Sequence, residues 1–248
     1  MIPMHLHDAW LSVRRNRNAV GAYILFNLIV NLAAAALDKA LKPFVPEGNV
    51  PAWYPAYHIV SDVIAAAAIA GVTAIFLAEI GREIDRPLWK CGTATEAFKR
   101  FFLPWFIFNL AFVTIVSLQS RLGDAGNSDA VAALEFLVLL IQLLYIPVGA
   151  CIMYGGGLHW DRLGELLAPI ARMMPDSLLP IGLGFVQFCV GYAIASLSPD
   201  EIRDTWLSLA PSAVYITAGA FLECLAFAAM WRICMMHRDN PPENDDLF

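Results

Sequence analysis

Residues 131–154, VAALEFLVLLIQLLYIPVGACIMY, carry a single charged side chain, Glu135. A helix needs about 20 mostly apolar residues to cross roughly 30 Å of hydrocarbon, so this stretch reads as a membrane span. Working outward from it, five more runs of comparable length lie at 19–37, 57–80, 101–118, 178–197 and 211–235, each bounded by charges, prolines or aromatic residues. Composition agrees: the 248 residues are 59% hydrophobic and only 15% charged, with a mean hydropathy of +0.61. Such a chain is too apolar for a soluble domain of this size, and the bilayer is its expected solvent.

The expected fold class is therefore all-α: a polytopic membrane protein with about six transmembrane helices. They form three hairpins, each with a short amphipathic helix on the cytoplasmic side. One integral membrane domain covers residues 1–238. Residues 239–248, rich in proline and acids, cannot bury apolar surface and are expected to be a disordered cytoplasmic tail.

Orientation follows from Lys and Arg, which accumulate in cytoplasmic loops. Of the 16 basic residues, Lys39, Lys42, Arg121 and Arg203 fall on one side. All the others, from Arg14, Arg15 and Arg17 through Arg82, Arg86, Lys90, Lys99 and Arg100 to Arg162, Arg172, Arg232 and Arg238, fall on the opposite side. Both termini are thus expected in the cytoplasm. Aromatic residues suggest the same boundaries, with Trp53, Tyr54, Trp206 and Tyr215 at the outer ends and Trp89, Trp105, Trp160 and Trp231 at the inner ends. A secretory signal peptide is the competing account of the first run. The polar lead-in, together with Asn27 and Asn31 inside the run, favours a retained helix.

Each inward-lying linker leads into an outward-going span through a short amphipathic stretch: 7–18, 93–100 and 163–174. A carboxamide recurs after each of them, at Asn27, Asn109 and Gln187, 82 and 78 residues apart. That spacing points to three successive helical hairpins, each introduced by an interfacial helix. This order, together with Ile146-Pro147-Val148-Gly149 in the fourth span and a basic amphipathic stretch after it, resembles the YciC-like bacterial inner-membrane proteins. The resemblance covers residues 9–238 and implies a six-helix inner-membrane fold. It brings no catalytic residues with it, and the basic stretch is thinner here, with only Arg162 and Arg172.

Candidate functional residues are the polar groups placed inside spans, where an ionisable side chain costs roughly 2.5–3.5 kcal/mol at the bilayer centre. Glu223, halfway along the sixth span, is the first of these; Gln187, Gln142, Glu135, Asn109 and Asn27 complete a candidate intramembrane polar, ion or ligand site. Glu135 and Gln142 lie seven apart and Asn27 and Asn31 four apart, spacings that place each pair on one helix face and suggest a buried polar seam. Such groups also bond helices together, so packing is the plainer account of the seam.

His58 and Asp62, four apart at the outer start of the second span, are weak metal candidates, since two ligands do not complete a site. His159 and Asp161 are equally incomplete, and H-E-x-x-H, P-loop and nucleophile-elbow patterns do not occur. No cofactor is indicated. Gly155-Gly156-Gly157 reads as a hinge rather than a phosphate cradle. Cys91, Cys151, Cys189, Cys224 and Cys234 avoid the outer loops and form no C-x-x-C pair, as expected of small buried hydrophobes.

The expected partners are the lipid bilayer and other membrane proteins or a second copy of the chain. Small-residue stripes, Ala66, Ala70, Ala74 and Ala78 on one span and Ala220, Cys224 and Ala228 on another, favour close helix contact. Nucleic acid is not expected, since the chain is acidic at net −6 and carries no basic patch interleaved with aromatics. An accessory, assembly or lipid- or partner-binding membrane component fits these features best. A small transporter or channel subunit using Glu223 comes second, and a membrane-embedded enzyme acting on lipid third.

Overall fold

Backbone N–H and C=O groups in hydrocarbon find no water, so a lone span must satisfy them internally as a helix. A computed structural model describes residues 2–44, 51, 53–84, 92–124, 128–197 and 206–239. Among these residues the regular elements are all helical. In chain order the α-helices are α1 (Ile2–Arg15), α2 (Arg17–Leu41), α3 (Trp53–Ile84), α4 (Ala94–Asp124), α5 (Ser128–Tyr154), α6 (Leu163–Arg172), α7 (Met174–Leu197) and α8 (Leu209–Asp239). Six of them, α2, α3, α4, α5, α7 and α8, are long and apolar enough to cross a membrane. The chain is an all-α multi-pass membrane protein, and its spanning helices face lipid. Arg86, Lys90, Cys91, Arg203, Trp89 and residues 240–248 of the expected tail lie outside the described residues.

The consecutive pairs α2/α3, α4/α5 and α7/α8 each pack together, as the hairpin pattern requires. The helix α8 is the central strut, touching α1, α2, α3, α5, α6 and α7. Its continuous buried run from Cys224 to Trp231 reflects that position, because a helix packed on all sides needs no polar face.

Packing is uneven along the bundle. The side chains with the least exposed surface, Tyr23, Leu77, Ile80, Phe101, Trp105, Met153, Phe227, Trp231 and Ile233, lie in the half nearer the two chain termini. The opposite halves of the spans expose Ile29, Ile59, Ile64, Phe136, Tyr192 and Val214. The alanine stripe at 66, 70, 74 and 78 is fully buried, so the short side chains bring α3 close to its neighbours.

Two expectations need correction. The second amphipathic stretch, 93–100, is not a separate helix but the first turns of α4, which runs through Pro104 without a break. A reciprocal cap explains where α4 starts: the Glu96 N–H donates to Thr93 Oγ1 (3.2 Å), while the Gly92 and Thr93 N–H groups donate to Glu96 Oε2 (2.7 and 3.2 Å). Trp105 and Trp231, expected as interfacial aromatics, are each 1% exposed and form core. Trp105 Nε1 lies 3.2 Å from Met153 Sδ, and Trp231 packs edge-on against Tyr154. An indole needs only one polar contact when buried, so boundary position alone did not assign it to the interface.

The glycine triplet forms the turn that ends α5. Gly156 and Gly157 have φ of +87° and +137°, and the N–H groups of Gly156 and Gly157 donate to Met153 and Ile152 carbonyls, closing the end of α5. The short helices α1 and α6 precede α2 and α7 as expected. Polar contacts hold α1 to the bundle: His5 Nε2 lies 3.2 Å from Asp176 Oδ1 on α7, and Arg232 Nη2 on α8 donates to Ser12 Oγ over 2.9 Å.

Candidate functional site

The polar residues of five spans converge inside the bundle. A cavity of about 220 Å³ is lined by Asn27 and Asn31 of α2, Asn109 of α4, Gln142 and Tyr145 of α5, Gln187 of α7, and Tyr215 and Glu223 of α8. Apolar walls from Phe112, Val113, Ile141, Ile146, Ile216 and Leu222 complete it.

Glu223 is the hub. Tyr23 donates its hydroxyl to Glu223 Oε2 over 2.6 Å, and Gln187 donates Nε2 to Oε1 over 2.9 Å. One carboxyl group therefore joins α2, α7 and α8, and each of its oxygens has a protein donor. Nearby, Asn109 Nδ2 donates both to the Trp105 carbonyl (2.7 Å) and to Tyr145 Oη (3.0 Å), tying α4 to α5. Gln142 Nε2 reaches Tyr215 Oη at 3.5 Å, a long contact between α5 and α8.

Local sequence positions these groups. Asn27 and Asn31 donate Nδ2 to the carbonyls of Tyr23 and Asn27, each four residues back, which fixes both amides along the helix. Small residues on α7 and α8 make room. An added Cβ at Gly219 would stand 2.9 Å from Gln187 Nε2, and one at Gly184 would stand 3.2 Å from the Gln142 carbonyl oxygen. Pro147 and Pro180 also line the cavity. Because proline has no N–H, the carbonyls of Leu143 and Asp176 lose their usual donors four residues on.

Of the six sequence candidates, Glu223, Gln187, Gln142, Asn109 and Asn27 share this cavity. The recurring carboxamides at 27, 109 and 187 thus face one space, although they lie in three different hairpins. Glu135 does not join them. It is exposed, and its carboxylate accepts a 3.4 Å bond from Gln119 on α4, so the proposed seam along α5 stops at Gln142. Seven residues span nearly two turns, about 10 Å along the axis, and carry Glu135 out of the cavity's layer.

The metal candidates also separate. His58 Nε2 faces Asp38 Oδ1 at 3.7 Å, whereas Asp62 accepts from Ser117 Oγ at 3.0 Å. Among the described residues no three His, Cys, Asp or Glu side chains are placed to hold a metal ion. Asp161 pairs with Arg162 at the surface.

Sequence reasoning missed the three tyrosines. Tyr23 lies one turn before Asn27, Tyr145 three residues after Gln142 and Tyr215 two turns before Glu223. Same-face spacing to a known polar position was the available signal.

The fold and site thus define a helical multi-pass membrane protein with a polar cavity built around one acid. No family model, curated protein or solved structure matches the chain.

Proposed function

We propose that this chain is a bacterial inner-membrane component, with both termini cytoplasmic, that binds a small polar ligand in the cavity around Glu223. The observation that carries the proposal is the convergence of an acid and five carboxamides on one space of about 220 Å³ within an otherwise apolar bundle. A polar seam serving only as glue needs no such volume, because interhelical bonds work at contact distance. The excess of Lys and Arg at the end bearing both termini supports the orientation. The likeness to the YciC-like proteins, resting on hairpin order, supports the inner-membrane assignment.

Native mass spectrometry of the protein released gently from its own membrane tests ligand binding. The wild type is expected to carry a small molecule or lipid that Val113→Trp, which fills the cavity from α4, does not. Equal ligand loads in a folded Val113→Trp variant would refute the cavity as the site. So would a bare wild type whose Val113→Trp variant is simply more stable.

Transport is the second reading, favoured by Pro147 and Pro180 at the cavity wall and by the glycine turn after α5. Passage through the site would make Glu223→Gln abolish a measurable flux in proteoliposomes. The lipid-enzyme reading gains nothing from the geometry, since His58 and Asp62 face different partners.

A further inference from the structure

The charge on the cavity's wall is one-sided. Glu223 is its one formally charged side chain among the described residues, and no Lys, Arg or His lines it. Asn27, Asn31, Gln142 and Gln187 each give one amide N–H to a protein acceptor, leaving one N–H and the carbonyl oxygen of each for a ligand. Among the described residues, none of the hydrogen bonds found brings a donor to the carbonyl oxygens of these four amides. Pro147 adds another acceptor by withdrawing the usual donor from the Leu143 carbonyl, and Leu143 also lines the cavity.

A buried acceptor without a donor costs free energy, so a ligand that brings several N–H groups and a positive charge satisfies this wall best. An anion would meet Glu223 and a row of carbonyl dipoles. The volume exceeds what a bare ion needs, since a single water occupies about 30 Å³ in the liquid.

We infer that the cavity takes a primary ammonium group on a small carbon skeleton, held by Glu223 and the carboxamide oxygens. This rests on the proposal that the cavity is a ligand site. The same ammonium chemistry occurs in a free amine and in the ethanolamine headgroup of a membrane lipid.

Calorimetric titration of the full chain in phosphatidylcholine nanodiscs, with butylammonium, butanol and butyrate as probes, tests the inference. Butylammonium is expected to bind at least about tenfold more tightly than either four-carbon analogue, the discrimination that one charge-assisted hydrogen bond supplies. Glu223→Gln should remove that preference. Asn31→Leu, which takes away a carbonyl acceptor outside the Glu223 hydrogen bonds, should weaken it even if the first variant does not fold.

Butanol or butyrate binding as tightly as butylammonium would overturn the ammonium assignment and leave the ligand site intact. Binding of none of the three to a protein whose native spectrum is also bare would sink both. Where butylammonium does bind, repeating the titration in phosphatidylethanolamine nanodiscs separates the sources: competition indicates the lipid headgroup, and unchanged binding a free amine.

Discussion

Tyr23 on α2 donates its hydroxyl to Glu223 Oε2 on α8 across 2.6 Å, so the first and last spans are joined through residues 200 positions apart. The same carboxyl takes a second donor from α7, and Tyr23 is itself 0% exposed. Closure of the bundle and construction of the cavity therefore meet at one group.

Removal of that hydroxyl by Tyr23→Phe should lower stability by about 1 kcal/mol, the order of interhelical hydrogen bonds measured in membranes. The loss should appear in reversible unfolding by denaturing detergent. No change would mean that Glu223 holds the bundle through Gln187 alone.

Gly149 and Gly21 form a matched pair for testing the packing. A Cβ at Gly149 would collide with the Trp105 ring, whereas one at Gly21 meets nothing within 4 Å. Trp105 is itself 1% exposed and packed against Tyr145 and Met153. Gly149→Ala should therefore cost about 1–3 kcal/mol, as overpacked cores do, with Gly21→Ala within about 0.5 kcal/mol of wild type in the same unfolding assay.

Contact between α5 and α8 near their ends can be read chemically. Cys151 and Cys234 are buried with their sulfurs in contact at 3.5 Å, and a disulfide would bring them to about 2.05 Å. A membrane-permeant thiol oxidant should join these two within one chain, as seen by peptide mapping without reductant. Both thiols remaining free after exhaustive oxidation would contradict the placement of α5 beside α8.

Among the described residues, Arg232 is one of two polar ties on α1, donating to Ser12 and facing Asp8 at 3.9 Å. Arg232→Ala should raise hydrogen exchange across α1 while leaving α4 and α5 protected. Unchanged exchange in α1 would assign its docking to the His5–Asp176 contact and to Ala9 and Val13, both buried.

Much of this protein was legible in one dimension. The number and approximate extent of the spans follow from run length, because hydrocarbon thickness converts directly into residues per helix. The prominence of Glu223 follows from the cost of placing an acid there. The amide recurrence at 27, 109 and 187 was likewise visible before any packing was known. What only the tertiary structure decided is which way each helix turns and which helices are neighbours. That choice gathered Asn27, Asn109, Gln142, Gln187 and Glu223 into one cavity, left Glu135 outside it, recruited Tyr23, Tyr145 and Tyr215, and drew Trp105 and Trp231 into the core. The physical reason is that lipid tails are as apolar as the helix surfaces. Hydropathy therefore ranks the spans but not their faces, which are selected by close packing of small residues and by hydrogen bonds between helices.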